Sequence, residues 1–571
     1  MSKIFTLTVA SVLALSASAQ WTGDFDNPQT LVPNTVSVYG NALRSNAAGY
    51  VYYLYMRPNL AGAESEEDIP NVVYEWRLQG FDPQGNKLFG DLGKLISDYP
   101  NLSYSVVNSY MMVDRDNNAV FAVPDKRYGQ GITLTAYKVS PTGEMLWGDE
   151  GVSLDGKSPS MLKSSTNVVQ LENGSYVFSW NEAFEGNQAD CCLQRVSPDG
   201  QLKWDDKDTR LTDAKAPYMY SWIVNGGDNE VIQVYSKGSA GEIYARRIDV
   251  TGEKVWRNDT RIYRAGWGNI PIWTIISVYP SGDGGVIMSW NDDRTSTGYE
   301  GAYLSYVDAK GKLPFTGASD EGDVRLSYVE GLRAFNVRAM VDPAGDGFIC
   351  LWRECDRDQH FNQMSIQKVN LKGQLMWGEE GIQLTDLVTE AYGYPSVCPG
   401  AEGQASAFFM SHNQAFGDTD ILSFDFDTST GEALGTQPQT LTNIDHERGS
   451  LEVANSTAAK CWYLSWSDDG PLQGDKVDTS LKNFNYIQRL EYAGSSSIKD
   501  LKAEKDLKIS YFAGQLNLPE GSDVKIYNAA GALVASFKSA PASISWTPAT
   551  HGVFIAKATN GEGTSTIKIV K

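Results

Sequence analysis

From residue 20 to residue 494, short apolar runs alternate with polar turns, and the alternation returns as one recurring unit. Its clearest part is a strand, a glycine turn and a second strand with an aromatic residue. It reads LQGFDPQGNKLFGDLGKLIS, AYKVSPTGEMLWGDEGVSLD, LQRVSPDGQLKWDDKDTRLT and ARRIDVTGEKVWRNDTRIYR. It continues as LSYVDAKGKLPFTGASDEGDVRLS, IQKVNLKGQLMWGEEGIQLT and, more faintly, SFDFDTSTGEALGTQPQTLT. The turn glycines Gly85, Gly143, Gly200, Gly252, Gly311, Gly373 and Gly431 lie 52 to 62 residues apart. Upstream of each copy come two more strands, the second strongly apolar, as in YVFSW, GVIMSW, GFICLW and CWYLSW. Each unit therefore holds four strands, A to D. Four antiparallel strands in a repeat of this length predict a β-propeller blade. A helical repeat would show apolar residues at a period of 3.6, and that pattern is missing.

The two ends of this region complete one another. The last copy, YIQRLEYAG, stops at Gly494 before its D strand, while WTGDFDNPQTLVPN near the N-terminus reads as a lone D strand with its exit. Joining them pairs both exposed edges and closes a ring. Eight blades result, or seven if the weak first or last copy is not a blade. The repeat resembles the "W-x-D … QR-V-x-x-x-G-x-x-x-W" propeller repeats common in bacterial exported proteins, which implies a fold and not an activity.

The first residues, MSKIFTLTVASVLALSASAQ, have a basic start at Lys3, a short apolar stretch and a small-x-small site ending at Ala19. This predicts a signal peptide over residues 1–19, cut between Ala19 and Gln20. No later run is long and apolar enough to predict a transmembrane segment. After Gly494 a polar linker leads into period-2 alternation with glycine turns, predicting a small β-sandwich over residues 495–571. VKIYNAAGALV and the terminal GVFIAKATNGEGTSTIKIVK resemble the type A sorting domain of type IX secretion in Bacteroidota. That resemblance implies recognition at the outer membrane by the type IX machinery. It also implies removal of the tail by a sortase-like peptidase, with the body secreted or fixed to the cell surface. The expected fold class is thus all-β: an eight-bladed (alternatively seven-bladed) β-propeller over residues 20–494, then the C-terminal β-sandwich.

Charge narrows the partners. The formal net charge is −22, although residues 495–571 carry nine Lys against six acids. A body this acidic repels phosphate backbones, which argues against nucleic acid. Six cysteines are spread along the propeller region with no CxxC pair, so neither a dense disulfide framework nor a zinc knuckle is predicted.

Candidate chemistry lies in the loops joining B to C and D to the next A, which share one face. Aligned B strands carry Tyr55, Val123, Trp180, Tyr235, Trp290, Trp352, Met410 and Trp466, expected to pack between sheets. Two residues later, Asp125, Glu182, Asp292, Glu354 and Asp468 form a candidate acidic rim; alternatively each accepts hydrogen bonds from its own turn. Tyr220, Trp222, Trp267, Trp273 and Tyr394 add rings to the same face, and His360, His412 and His446 fall in its loops. Flat rings stack on sugar C–H faces while acids take hydroxyl protons; peptide binding uses the same parts. No HExxH, GxSxG or P-loop occurs, and no metal, cofactor or catalytic residue is assigned. The expectation is a non-enzymatic binding or adhesion module for glycan or peptide. A glycoside hydrolase or lyase using channel carboxylates, or an envelope assembly component, are the alternatives.

Overall fold

The computed structural model describes residues 21–32, 39–59, 73–100, 110–129, 131–156, 160–185, 188–204, 210–213, 215–238, 241–264, 276–294, 298–317, 321–412, 418–473, 476–477, 484–492, 509–512, 514–528, 533–550, 552–560 and 563–570. Ala19 and Gln20 lie outside them. The chain divides into two compact units, residues 1–495 and 496–571.

Unit 1 is a succession of antiparallel sheets, each from consecutive strands. Strand β1 (Gln29–Val32) comes first. Sheet 1 holds β2 (Tyr39–Ser45), β3 (Val51–Asn59), β4 (Val73–Phe81) and β5 (Lys94–Ser97). Sheet 2 holds β6 (Met111–Val113), β7 (Ala119–Asp125), β8 (Thr133–Val139) and β9 (Val152–Ser153). Sheet 3 holds β10 (Leu162–Gln170), β11 (Tyr176–Ala183) and β12 (Ala189–Val196), with Leu211 bridging Cys191 at its outer edge. Sheet 4 holds β13 (Tyr218–Gly227), β14 (Glu230–Lys237), β15 (Glu242–Ile248) and β16 (Thr260–Tyr263). Sheet 5 holds β17 (Ser277–Pro280), β18 (Val286–Asp292), β19 (Gly301–Val307) and β20 (Asp323–Arg325). Sheet 6 holds β21 (Arg333–Val341), β22 (Gly347–Cys355), β23 (Asn362–Asn370) and β24 (Ile382–Gln383). Sheet 7 holds β25 (Ala391–Pro399), β26 (Gln404–His412), β27 (Thr419–Asp427) and β28 (Gln439–Thr440). Sheet 8 holds β29 (His446–Ser456), β30 (Cys461–Gln473), β31 (Lys476–Val477) and β32 (Phe484–Glu491), and β1 adds to its open edge.

The first strands touch in order, β2 to β6 to β10 and on to β29, and β29 returns to β2. The sheets therefore form a closed ring around their first strands, the arrangement of a propeller. An apolar layer fills each gap between neighbouring sheets. Trp76 and Phe121 meet between sheets 1 and 2, Ile349 and Phe409 between sheets 6 and 7, and Tyr53 and Tyr463 between sheets 8 and 1. All eight aligned B-strand residues, from Tyr55 to Trp466, are buried in these layers.

The repeat letters have specific jobs. The C-strand glutamine clips its strand to the approach of the fourth strand: Gln194 Nε2 donates to Trp204 O at 3.2 Å, and its Oε1 accepts from Trp204 N at 3.0 Å. Gln367 repeats this with Gly378 O at 2.7 Å and Trp377 N at 3.0 Å. The tryptophan then reaches the next sheet's turn, Trp147 Nε1 donating to Pro198 O at 3.1 Å and Trp204 Nε1 to Val250 O at 2.9 Å. Glycine at that turn leaves room for the ring: a Cβ on Gly200 would lie 2.9 Å from Trp147. Its φ of +87° also suits glycine.

The N-terminal segment enters the same scheme. β1 pairs antiparallel with β32, Gln29 opposite Ile487 and Thr30 opposite Tyr486. Gln488 Nε2 donates to Thr22 Oγ1 at 2.7 Å and to Asp24 O at 2.8 Å. The Trp21 ring lies 5.4 Å from both Phe81 and Tyr463, and a Cβ on Gly85 would meet it at 3.3 Å. Residues 21–32 thus act as the fourth strand of a sheet whose other strands lie more than 400 residues away.

Unit 2 has two sheets. One joins β33 (Ser510–Phe512), β34 (Gln515–Asn517) and β37 (Ser543–Ser545); the other is ordered β36-β35-β38-β39. In that sheet β35 is Ser522–Asn528, β36 Leu533–Ala540, β38 Val553–Asn560 and β39 Gly563–Val570. They share a core of Leu516, Val524, Ile526, Ile544, Phe554 and Ala556. Among the described residues no helix is long and apolar enough to cross a membrane. All six cysteines are buried and unpaired, including Cys350 and Cys355, which lie closest in sequence apart from the adjacent Cys191 and Cys192.

Replacing Trp21 by alanine removes a half-buried ring from the seam and should lower stability by about 2–3 kcal/mol. Urea unfolding followed by tryptophan fluorescence checks this; an unchanged midpoint would mean that the ring does not depend on its N-terminal strand.

Candidate functional site

An antiparallel A-B-C-D meander puts its B–C and D–A connections at one end of the ring. The five carboxylates expected to rim that end are buried, four of them at or one residue before the ends of β7, β11, β18 and β22 and Asp468 within the longer β30. Asp125 accepts from Ser97 Oγ at 2.7 Å and from Arg127 Nε at 2.9 Å and Nη2 at 2.6 Å. Glu182 takes Trp180 Nε1 at 2.9 Å, the buried Lys163 Nζ at 2.5 Å and Arg210 Nη1 at 2.6 Å. Asp292 takes Trp290 Nε1 at 2.8 Å and Arg294 Nη2 at 2.9 Å. Glu354 accepts from Ser327 Oγ at 2.6 Å, Gln363 Nε2 at 2.8 Å and Ser365 Oγ at 2.9 Å. Asp468 accepts from Gly470 N at 2.9 Å, beside Arg448 and His446. These acids do not form an open rim. Asp125, Asp292 and Asp468 accept from backbone N–H groups of their own turns, while Glu182 and Glu354 are matched by side chains of neighbouring strands and loops, because a buried carboxylate must be met by donors.

The rings scatter. Tyr220 and Trp222 stack on each other at 5.4 Å, half-buried on β13. Trp267 and Trp273 lie outside the described residues. His360 sits in the β22–β23 loop with Asp356 and Asp358, their donor atoms within 4.8 Å of one another.

Four expected residues do come together, at the mouth of sheets 7 and 8. Tyr394 is 44% exposed, with its ring centroid 6.4 Å from that of His412. It occupies a β-bulge at φ +52°, a conformation that turns its side chain out of the regular alternation. His412 Nδ1 lies 3.1 Å from Thr419 Oγ1. Arg448 donates to Thr419 O and Ile444 O at 2.6 Å each, and its Nε lies 3.3 Å from Asp468. His446 Nδ1 lies 2.8 Å from the other Asp468 oxygen. One polar chain therefore runs from His412 through Thr419, Arg448 and Asp468 to His446.

Thr419 and Arg448 were not among the candidates; the only signal was an arginine two residues after His446 at the start of an inner strand. Asp418 and Asp420 flank Thr419. Burial raises the pKa of Asp418, with the charges of Asp420 and Asp445 adding and Arg448 opposing. Burial also raises that of Asp420, against a hydrogen bond from Thr442. Tyr99, Tyr128, Tyr328 and Phe361 are exposed in loops of the same end.

No protein-family model and no curated protein matches the chain. Solved structures do. The "Dos1 propeller" is 10% identical with a TM-score of 0.40, covering 81% of this chain and 95% of that one. A polysaccharide lyase described as an ulvan lyase is 11% identical with a TM-score of 0.38, covering 66% of this chain and 92% of its own. An endo-arabinase from Bacteroides thetaiotaomicron is 11% identical with a TM-score of 0.27, covering 49% and 94%. At such identities and scores no residue and no activity is carried over to this chain.

Burial lowers the pKa of His412 below its ordinary 6.5, so the imidazole stays neutral where a free histidine begins to charge. The fold then binds fewer protons than the unfolded chain. Its contribution is fully present above pH 6.5 and is lost as pH falls through the lowered value. An NMR titration of the ring should give a midpoint below 6.5, and His412→Gln should flatten the loss of stability over that window.

Proposed function

We propose that this chain is an exported binding protein of the cell surface or surroundings. In this reading residues 1–19 are a signal peptide, residues 20–494 an eight-bladed β-propeller, and residues 495–571 a linker and β-sandwich sorting domain. The last delivers the ring to type IX secretion machinery and a sortase-like peptidase. The supports are the Lys3-to-Ala19 pattern, the two-sheet unit after residue 495 and the terminal motif quoted above.

The ligand class is glycan or peptide. One observation carries this: an outward Tyr394 ring beside a neutral His412, above a chain of donors and acceptors at the junction of two sheets. An exposed ring supplies a stacking surface, and adjacent polar groups read hydroxyls or amides.

A hydrolase or lyase reading keeps one specific observation, that burial shifts the carboxyls of Asp418 and Asp420, on either side of Thr419, upward from their ordinary value. An upward shift is the direction that a general acid needs.

Glycan and peptide arrays probed with the protein from residue 20 onward should give a defined set of hits. Tyr394→Ala should weaken them about tenfold with no change in thermal unfolding, since the ring packs little of the core. Cleaved glycan in place of retained glycan, abolished by Asp420→Asn, would favour the enzyme. Removal of residues 496–571 should leave the protein in the periplasm of its host, measured by fractionation.

A further inference from the structure

The loop joining β22 to β23 carries a group of side chains that the Tyr394 mouth does not use. It reads Asp356-Arg357-Asp358-Gln359-His360-Phe361. One donor atom each from Asp356, Asp358 and His360 lies within 4.8 Å of the other two. Asp358 and His360 are exposed, and Asp356 is half-buried. Ligand bonds of about 2.0–2.2 Å let two donors of one ion stand at most about 4.4 Å apart. Rotation of the two exposed side chains therefore closes the set around a single ion.

The loop holds this arrangement in place. Asp356 N donates to Phe361 O at 3.1 Å and Gln359 N to Asp356 O at 3.0 Å. Phe361 N donates to Asp356 Oδ1 at 2.9 Å, so one oxygen of this carboxylate braces the turn and the other is left for an ion. The residues between the three donors tie the loop to its sheet. Arg333 Nη1 donates to Arg357 O at 3.0 Å, and Arg353 Nη2 donates to Gln359 Oε1 at 3.0 Å. Arg333 turns its Nε and Nη2 to Glu300, at 2.6 and 2.8 Å. Among the described residues no lysine or arginine nitrogen lies within 4.0 Å of an Asp356 or Asp358 oxygen. Two carboxylates held together without a cation repel one another, and a bound cation removes that cost.

A second observation does not involve the acids. Asn362, the first residue of β23, is fully buried. Its Nδ2 donates to Gln359 O at 3.4 Å, so the amide lies against this same loop. Its Oδ1 is buried and accepts no hydrogen bond. A buried carbonyl oxygen without a donor costs free energy, and a water held on a cation supplies the missing donor.

We propose that the β22–β23 loop binds one divalent transition-metal ion of the zinc class through Asp356, Asp358 and His360, with a metal-bound water donating to Asn362 Oδ1. Donors at every second residue are the spacing of the first three ligand positions of a calcium loop. The imidazole changes the preference. Calcium takes oxygen donors, whereas imidazole together with carboxylates suits zinc. Three protein ligands leave a coordination position for water or for an oxygen of a ligand. The neighbouring Phe361 ring is 46% exposed. The site shares no residue with the Tyr394 mouth and does not depend on the binding reading above.

The test uses the full chain, prepared without a histidine tag and stripped of metal by a chelator. Isothermal titration with zinc chloride should show one equivalent bound, at least about tenfold more tightly than calcium chloride in the same buffer. Asp358→Asn and His360→Ala should each weaken zinc binding by at least about tenfold. His360→Asp restores an all-oxygen set and should move the preference toward calcium. All three substitutions alter exposed side chains, so the melting temperature of the metal-free protein should stay unchanged, which separates loss of a ligand from loss of the fold. In NMR spectra the His360 ring resonances should move on addition of zinc. Absence of zinc binding overturns the proposal. So does zinc binding that survives both Asp358→Asn and His360→Ala, or calcium bound as tightly as zinc by the unsubstituted chain.

Discussion

A row of antiparallel sheets has two raw edges, and each unpaired N–H and C=O there either finds a partner or recruits one from another molecule. In unit 1 the pairing of β1 with β32 covers the open edge of the last sheet and ties the N-terminal strand to it. Everything that surrounds the channel depends on it. If β1 were released, sheet 8 would lose its fourth strand and the seam of Tyr53, Tyr463 and Trp21 would open. Glu452 would then no longer be held against Leu43 across sheets 8 and 1.

The ring repeats a small set of solutions to one problem, that of joining sheets face to face without stranding polar groups. A glutamine clips the third strand to the approach of the fourth, an indole N–H caps the turn of the next sheet, and glycine at that turn admits the ring. The cation after the glutamine goes the same way. Arg195 reaches Val250 O, Lys368 reaches Thr428 O, and Arg489 reaches Pro83 O across the seam. The seam therefore shares the glutamine and arginine contacts of other junctions. The acids at the ends of the B strands belong to this scaffold, since each is matched by an arginine, lysine, indole or hydroxyl within a short reach of chain.

In the proposed reading, ligand contact falls to side chains that the scaffold turns outward. Bulges on the inner strands do this at Tyr220, Asn336, Tyr394 and Ser450, all with positive φ. A bulge breaks the two-residue alternation, so a residue that would have faced a neighbouring sheet faces the mouth or the channel. The exposed Tyr394 ring beside His412 is a product of that geometry.

The strand order, the repeat, the buried B-strand residues and the N-terminal strand that completes the last sheet were all readable in the chain, because each rests on a local periodicity or on two fragments that lack each other's partner. The burial of Asp125, Glu182, Asp292, Glu354 and Asp468 was not decided there: an acid at a strand end reads the same whether it meets water or an arginine. Nor could the letters assemble Arg44, Tyr110 and Glu452, which are scattered over four hundred residues and meet only because closure sets β2 between β6 and β29. Local pattern determines what each sheet is made of. Which groups face one another across a closed ring is set by its curvature and its bulges, and these exist only once the ends have joined.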